Sequence, residues 1–344
     1  MIQRPPTNKG STMTPYHIVC NLLANFRNAC LVSFLIFSVL SSLPVAAQTE
    51  SYPARPITIL VGYPPGGSTD LAGRTVAEEM TKSLGVSVLV QNLSGATGAI
   101  AAQKVISSNP DGYTLLVGSN SDIAINRVMS ASAKYQVTDF TPLGLIASQP
   151  LVLVASNASG VKDLNQFLNL LKQNPTKFSY GTSGTLLQMA GEMVKSQAGV
   201  SMTHVGYRGA APLVADLLGN HIDFGVLVLS GVLPHIRSGN LIALGITEEK
   251  RSSLAPEIPS LAEHSSLTGL RINAWFALMA PPNLPTPLAT KLKDALAVSL
   301  RTAEERKALK DFVVMSRTDD LPRFLAEEVA KYERIAKFAK MKQE

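Results

Sequence analysis

Pro64-Pro-Gly-Gly-Ser-Thr69 is the stretch whose residue types and spacing point most directly to chemistry, and that chemistry belongs to the backbone. It follows Ile57–Val61, an apolar run rich in β-branched residues, and precedes a helical pattern opening near Asp70. A glycine turn between a strand and a helix leaves N–H groups unpaired at the positive end of the helix dipole, which is a site for an anion. The turn holds no lysine or arginine, so oriented amides would supply the attraction, and these suit one carboxylate better than a polyphosphate. The competing reading is an ordinary connection in which Ser68 or Thr69 caps its own helix. Asp70 stays open in the same way. An acid in the first turn stabilises the helix start, the stronger reading, or else it faces a ligand ammonium or a water. Asp122, in Ser119-Asn-Ser-Asp122, has the same ambiguity.

Side-chain catalysis finds little support. His204, His221, His235 and His264 show no His-x-x-x-His spacing, so no metal site is expected. Ser183 lies in Gly181-Thr-Ser-Gly184, which lacks the register of a Gly-x-Ser-x-Gly nucleophile elbow. Gly95-Ala-Thr-Gly98 lacks the three-glycine dinucleotide fingerprint, and Pro64–Gly67 lacks the Gly-Lys-Ser/Thr of a phosphate loop. No cofactor is called for. Binding without catalysis is what remains, with Tyr207 and Arg208, set between Gly206 and Gly209, able to reach a ligand from another turn.

The elements that must position these turns follow a regular grammar. Val86, Val88 and Val90 alternate as a second strand, Asn92–Ala99 is a second glycine turn opening a helix over Ala99–Ser107, and Thr114–Gly118 is a third strand ending in the polar turn at Asp122. Strands separated by such helices predict a parallel sheet with all three turns at one edge. From Pro142 two apolar strands, Leu143–Ala147 and Leu151–Ala155, stand either side of Ser148-Gln-Pro150 and carry the chain into a second lobe. A further βα series follows, with glycine turns at Gly181–Gly184 and Gly206–Gly209. Ile272–Met279 is a strand holding Trp275, expected as hinge packing, and the remainder reads as helices Thr290–Leu300, Ala303–Phe312 and Leu321–Lys342 with no new strand. These helices would return to the first lobe, making two crossings near Ser148 and Ala274, and ligands favour clefts between lobes.

With 344 residues, 46% of them hydrophobic, the chain can build two cores. Arg4, Lys9 and Arg27 precede the uncharged run Cys30–Leu40, and Val45-Ala-Ala47 stands before Gln48, the layout of a secretory signal peptide over residues 1–47. Both cysteines, Cys20 and Cys30, fall inside it, so the secreted product would carry no thiol. Removing those residues leaves 28 basic against 25 acidic side chains, a net +3 that makes no case for nucleic acid.

Seven motifs in order, Tyr52-Pro-Ala-Arg-Pro-Ile57, Tyr63–Asp70, Asn92–Gly98, Asn109-Pro-Asp-Gly-Tyr-Thr-Leu115, Val205-Gly-Tyr-Arg-Gly-Ala210, Leu233-Pro-His-Ile-Arg237 and Trp275–Pro281, resemble the Bug-type periplasmic solute receptors of tripartite tricarboxylate transporters. The resemblance runs from about Tyr52 to the C-terminus. It implies a two-lobed α/β periplasmic binding protein of type II-like fold, each lobe a mainly parallel sheet flanked by helices, with a two-strand hinge. The lobes would divide as 48–148 and 274–344 against 149–273. It implies a monomer in the periplasm, not an enzyme, that closes on a small organic carboxylate and delivers it to a two-component integral membrane permease. The alternatives are a receptor for a signalling sensor and a secreted hydrolase. Carried over, the ligand-binding residues are Tyr63, Pro65, Gly66, Gly67, Ser68 and Asp70 of the first turn, Ser94, Ala96, Thr97 and Gly98 of the second, and Thr182, Ser183, Gly184, Tyr207, Arg208 and Gly209 from the other lobe. This chain departs from the family pattern in three places. The turn Tyr180–Thr185 is short, Gln188 stands where a histidine is expected, and Leu227 and Val228 replace a polar pair. Those departures predict a more apolar second-lobe wall and a monocarboxylate with an uncharged or aromatic body.

Overall fold

The computed structural model describes residues 1, 52–130, 133–301, 309–315 and 320–341; the expected signal peptide, both cysteines and most of the expected helix Ala303–Phe312 lie outside the described residues. The fold is that of the unit Ser51–Glu344. In chain order, β1 (Ile57–Val61) leads into α1 (Ser68–Leu84), β2 (Val88–Asn92) into α2 (Ala99–Ile106), and β3 (Thr114–Ser119) into a wide helical turn, Ser121–Ile125, and the short α3 (Asn126–Met129). β4 (Thr141–Gln149) and β5 (Leu151–Ser156) flank Pro150. Then come α4 (Leu164–Gln173), β6 (Ser179–Thr182), α5 (Thr185–Ala198), β7 (Thr203–Gly206), α6 (Ala210–Leu218), β8 (Phe224–Val228), α7 (Leu229–Arg237) and β9 (Leu241–Ile246). The chain finishes with β10 (Ala274–Ala280), α8 (Thr286–Ser299), β11 (Val313–Val314) and α9 (Leu321–Phe338).

Two sheets result, ordered β11-β4-β10-β3-β1-β2 and β7-β6-β8-β5-β9. Each holds the expected parallel trio, β2-β1-β3 in one and β7-β6-β8 in the other, and antiparallel strands complete it. β11 corrects the expectation of a strandless tail: Val313 and Val314 pair with Ser148 and Ala147 at the edge of the first sheet. Two residues are too few for a periodic pattern, so neighbouring backbone groups recruit them rather than propensity.

Helix α1 shows why the elements form where they do. Its buried Ala72, Val76, Ala77 and Met80 recur at helical spacing, and Gly85, left-handed at φ 72°, ends it by donating its N–H to the Thr81 carbonyl. The two crossings are equally determined. Leu151 begins β5 opposite Val228, the last residue of β8, and Ala274 begins β10 opposite Gln149, the last residue of β4. Phe276 in turn lies opposite Ser119 at the end of β3. Both crossings therefore sit at the C-terminal edges of the parallel strands in both sheets, so both sets of βα turns open toward the space beside the hinge. Thr247 pins the crossings together. Its N–H donates to the Leu151 carbonyl at 2.9 Å, its carbonyl accepts from Ile272 N–H at 2.9 Å, and its buried hydroxyl donates to the Ile272 carbonyl. Trp275 is fully buried beside them, edge-on to Phe324, and donates its indole N–H to Glu328 of α9 at 2.9 Å, packing β10 against that helix.

Thr247→Val keeps the side-chain shape but strips the hydroxyl from a buried carbonyl pair. The expected loss is about 1–3 kcal/mol of stability, read from the midpoint of urea unfolding, with little change in its slope.

Candidate functional site

The three first-lobe turns interlock before any ligand is considered. Turn one, after β1, is shaped by Asp70. One carboxylate oxygen accepts from Gly66 N–H and Arg74 Nε, both at 2.9 Å, and the other accepts from Asn92 Nδ2 at 2.8 Å. Burial alone would raise the Asp70 carboxyl, but the hydrogen bonds from Arg74, Gly66 and Asn92 outweigh it and hold the group below the usual carboxylate range. Asp70 is thus occupied by its own turn, which favours the helix-start reading over a ligand contact. Asn92 also donates to the Tyr63 carbonyl at 2.9 Å, fastening the end of β2 to turn one.

Turn two runs through four consecutive left-handed residues, Gly95 (φ 140°), Ala96 (46°), Thr97 (50°) and Gly98 (86°). Ala96 and Thr97 carry strain of about 1–3 kcal/mol each in such a conformation, which persists only where surroundings over-determine it. Here Asn126 Nδ2 donates to the Thr97 carbonyl at 2.9 Å and lies 3.4 Å from that of Ala96, while Tyr63 Oη lies 3.3 Å from the Thr97 carbonyl. With the Ala96 carbonyl turned toward Asn126, the trans peptide plane aims the Thr97 N–H to the opposite side. The turns also touch. A Cβ on Gly62 would fall 2.5 Å from the Gly98 Cα, and one on Gly98 would fall 2.6 Å from the Asp122 Cβ, so only glycine permits this nesting.

Asp122 is the buried centre of the arrangement. Its Oδ1 accepts from Ser119 N–H at 2.7 Å, Ser119 Oγ at 2.6 Å and Tyr63 Oη at 3.3 Å, whereas Oδ2 is buried with no partner among the described residues. Burial pushes the carboxyl up to about 6, against hydrogen bonds from Ser119 and Tyr63 that lower it. Burial, then the neighbouring Asp122 charge, drives the Tyr63 phenol well above its ordinary range, so it acts as a neutral donor.

No side chain caps the helices that begin at these turns. Gly67 is the N-cap of α1 and Gly98 of α2, and in the second lobe Gly184 precedes α5 and Gly209 precedes α6, none with a side-chain cap. Ser68 and Thr69 lie inside α1 rather than capping it, because Gly67 has already taken the extended cap conformation. By contrast Asp163 caps α4 and Asp320 caps α9, and the other helices that lack a side-chain cap, α3, α7 and α8, do not start from a glycine. The first amides of four helices are therefore left unpaired by intrahelical geometry, and they lie at the strand edges that meet beside the hinge.

Structure distinguishes the remaining predicted residues. Pro65, Gly66, Gly67, Ser94, Ala96 and Thr97 are exposed, Tyr63, Ser68 and Ser183 are half-buried, and Gly98 is buried under its turn. Thr182 belongs to β6 rather than to a turn, and its hydroxyl is hydrogen-bonded to His204 Nε2 at 2.7 Å. Tyr207 lies against Gly181 and donates its phenol to Asp216 at 2.7 Å, which fixes the turn and diverts the hydroxyl from solutes. Arg208, exposed, has no partner among the described residues. Leu227 corrects one expectation: it is buried in the second core with Val152 and Val154, so it does not face a ligand, while Val228 is half-buried. Asn92, Ser119 and Asn126 are supporting residues that sequence reasoning missed. Only Asp70 and Arg74, four apart on one helix, left a readable trace. Among the described residues no group of three His, Cys, Asp or Glu could hold a metal, and no helix is long and apolar enough to cross a membrane.

Two sheets joined by two crossings, with amide-bearing turns at their facing edges, define a two-lobed solute-binding protein. Residues 72–341 match the tripartite tricarboxylate transporter family receptor, TctC, and the chain belongs to that family, whose members are receptors and not enzymes. Protein BugT of Bordetella pertussis is 33% identical over 305 residues, covering 86% of this chain and 93% of that protein. Among solved structures, R. palustris Rpa4515 with adipate superposes with a TM-score of 0.72 at 29% identity, covering 84% of this chain and 98% of that one. MatC from Rhodopseudomonas palustris with bound malate gives 0.69 at 27% identity, covering 83% and 99%.

Because the folded Asp122 carboxyl titrates near 6 and the unfolded one near 3.8, the native state binds the extra proton between those values, and stability falls as pH rises through that window. Asp122→Asn removes this term. Relative to the parent, the variant should gain on the order of 2–3 kcal/mol between pH 4 and pH 8, measured by denaturant unfolding at both values.

Proposed function

We propose that this chain is a periplasmic receptor that captures a small organic carboxylate between its lobes through backbone amides and presents the closed form to the membrane permease of a tripartite tricarboxylate transporter. The observation that carries this reading is the set of uncapped helix starts at α1, α2, α5 and α6, gathered at one edge of each sheet. Family membership and the relatives holding adipate and malate support a carboxylate as the solute class. One carboxylate would sit against the amides of Gly67, Ser68 and Thr97, with Tyr63 held neutral beside it. Amides of this kind carry no net charge, so they recognise the anion without an ion pair to desolvate.

The second lobe would close with Gly184, Ser183 and the Arg208 turn. Arg208 is the side chain from that lobe free to meet the far end of a ligand, whereas Tyr207 and Thr182 shape the backbone around it. In this reading the lobes exchange chain at Gln149–Leu151 and just before Ala274. The pinned Thr247 contacts form the axis about which they close. The receptor acts as a monomer, and the permease has two components.

Gly67 tests the reading cleanly. Its φ of −79° suits any residue, and an added Cβ would meet only the Pro64 carbonyl, at 3.8 Å. Gly67→Val should leave the melting temperature within a few degrees while weakening carboxylate binding at least 100-fold in calorimetric titration, after a thermal-shift screen including malate and adipate has found the ligand. Undiminished affinity in the variant, or turnover of the ligand, would overturn the assignment.

A further inference from the structure

One well-formed cavity lies away from the glycine turns. About 470 Å³ in volume, it opens between the C-terminal half of α5, the segment before β10 and the C-terminal half of α9. Met193, Ile335 and Phe338 give its lining an apolar part, and Arg271, Lys331 and Arg334 a basic one. From Thr185 at the start of α5 to Ser196 in the cavity wall is about 16 Å along the helix axis, so this space is separate from the amide turns.

Charge around the cavity does not balance. Glu328 accepts from Lys331 Nζ at 2.6 Å, Tyr332 Oη at 2.6 Å and Trp275 Nε1 at 2.9 Å, and pairs with Arg271 only at the longer distance of 3.9 Å. Glu192 is likewise taken by Tyr180 Oη at 2.7 Å and Lys195 Nζ at 2.8 Å. Arg334 has no partner among the described residues. Burial, reinforced by Arg271 and Arg334 nearby, pushes the Lys331 ammonium below its usual range, although Glu328 pulls the other way. Arg334 therefore lines an apolar hollow without an ion-pair partner among the described residues, Arg271 is held there only by its 3.9 Å contact with Glu328, and Phe338 stands 65% exposed at the edge.

We propose that this cavity is a second ligand site, for an amphipathic monocarboxylate whose head pairs with Arg271 and Arg334 and whose aliphatic or aromatic tail lies on Met193, Ile335 and Phe338. A volume of this size accepts a small molecule of that class, and an arginine pair can grip a carboxylate by parallel hydrogen bonds. The walls come from both sheets. α5 follows β6 of the second, α9 is fastened to β10 of the first through Glu328 and Trp275, and Arg271 adjoins Ile272, which is bonded to Thr247 at the crossing. A ligand here bridges the lobes and favours whichever hinge state forms the cavity, so occupancy and cleft binding are coupled with equal strength in both directions. The site does not rest on the carboxylate reading of the cleft.

Calorimetric titration of octanoate, 1-octanol and acetate into the purified protein tests the site. Octanoate should bind saturably with a stoichiometry of one, with octanol and acetate at least tenfold weaker. The double variant Arg271→Ala/Arg334→Ala and, separately, Phe338→Glu should each weaken octanoate at least tenfold, while Gly67→Val retains it. All these positions are exposed, and unchanged circular dichroism confirms folding. Absence of octanoate binding, equal binding of octanol, indifference to the arginine and Phe338 substitutions, or loss in Gly67→Val, which would place the probe among the amide turns, would each overturn the proposal.

Discussion

A backbone amide can serve a passing solute only if the protein declines to use it and yet holds it still. That constraint organises the first lobe. Ordinary helix starts satisfy their own donors with a serine, threonine or aspartate side chain, as Asp163 and Asp320 do here for α4 and α9. At α1, α2, α5 and α6 a glycine occupies the cap and supplies no side-chain cap, Asp70 of α1 reaching back only as far as Gly66 N–H. Rigidity has to come from elsewhere. It comes from behind the turns, where Asn92, Asn126, Asp70 and Tyr63 grip carbonyls or neighbouring polar groups and leave the amide face open. Preorganised dipoles of this sort need no reorganisation when an anion arrives, so little of the binding energy is lost to ordering the site.

Strain is the corollary. Ala96 and Thr97 stand in left-handed conformations that neither residue favours, between two glycines that tolerate them. Asn126 holds the conformation by donating its amide to the Thr97 carbonyl, and the nesting of Gly62 on Gly98 and Gly98 on Asp122 excludes relaxed alternatives. A more ordinary loop would cap α2 with its own side chain and present no donor. The arrangement thus trades local backbone comfort for an open amide, a pattern expected where binding and not stability has set the geometry.

Much of this was legible from residue order. The alternation of apolar runs with glycine turns revealed parallel trios, the Gln149-Pro150-Leu151 junction revealed a crossing, and Gly67 and Gly98 stood out as bends before helices. What could not be read had a common physical origin. β11 is two residues long and exists because β4 offers an edge. Leu227 seemed a wall residue by analogy, but strand pleat sends it into the second core, a matter of register that one residue's slip would reverse. Tyr207 and Thr182 have side chains suited to a solute, and only contacts from Asp216 and His204, far away in pattern though near in space, show them engaged. Asn92 and Asn126 are isolated asparagines with no periodicity to mark them; their role lies wholly in what their amides reach across turns.

Asp122 brings these threads together, because a carboxylate beneath an anion site ought to repel the anion. Two features remove the conflict. Asp70, the other acid nearby, is neutralised by Arg74 at 2.9 Å and is turned into its own loop. Asp122 has no cation, and burial instead holds its proton on until about pH 6. While protonated it is a neutral bracket linking Ser119 and Tyr63, and the field above it is that of the helix starts alone. Once ionised it would set a negative charge behind turn two, opposing the dipole of α2 across a low-dielectric gap where such charges act strongly. Below about pH 6, then, a buried acid without a counter-ion leaves the turn free of fixed negative charge, and no cation is added that would compete with the amides for the solute.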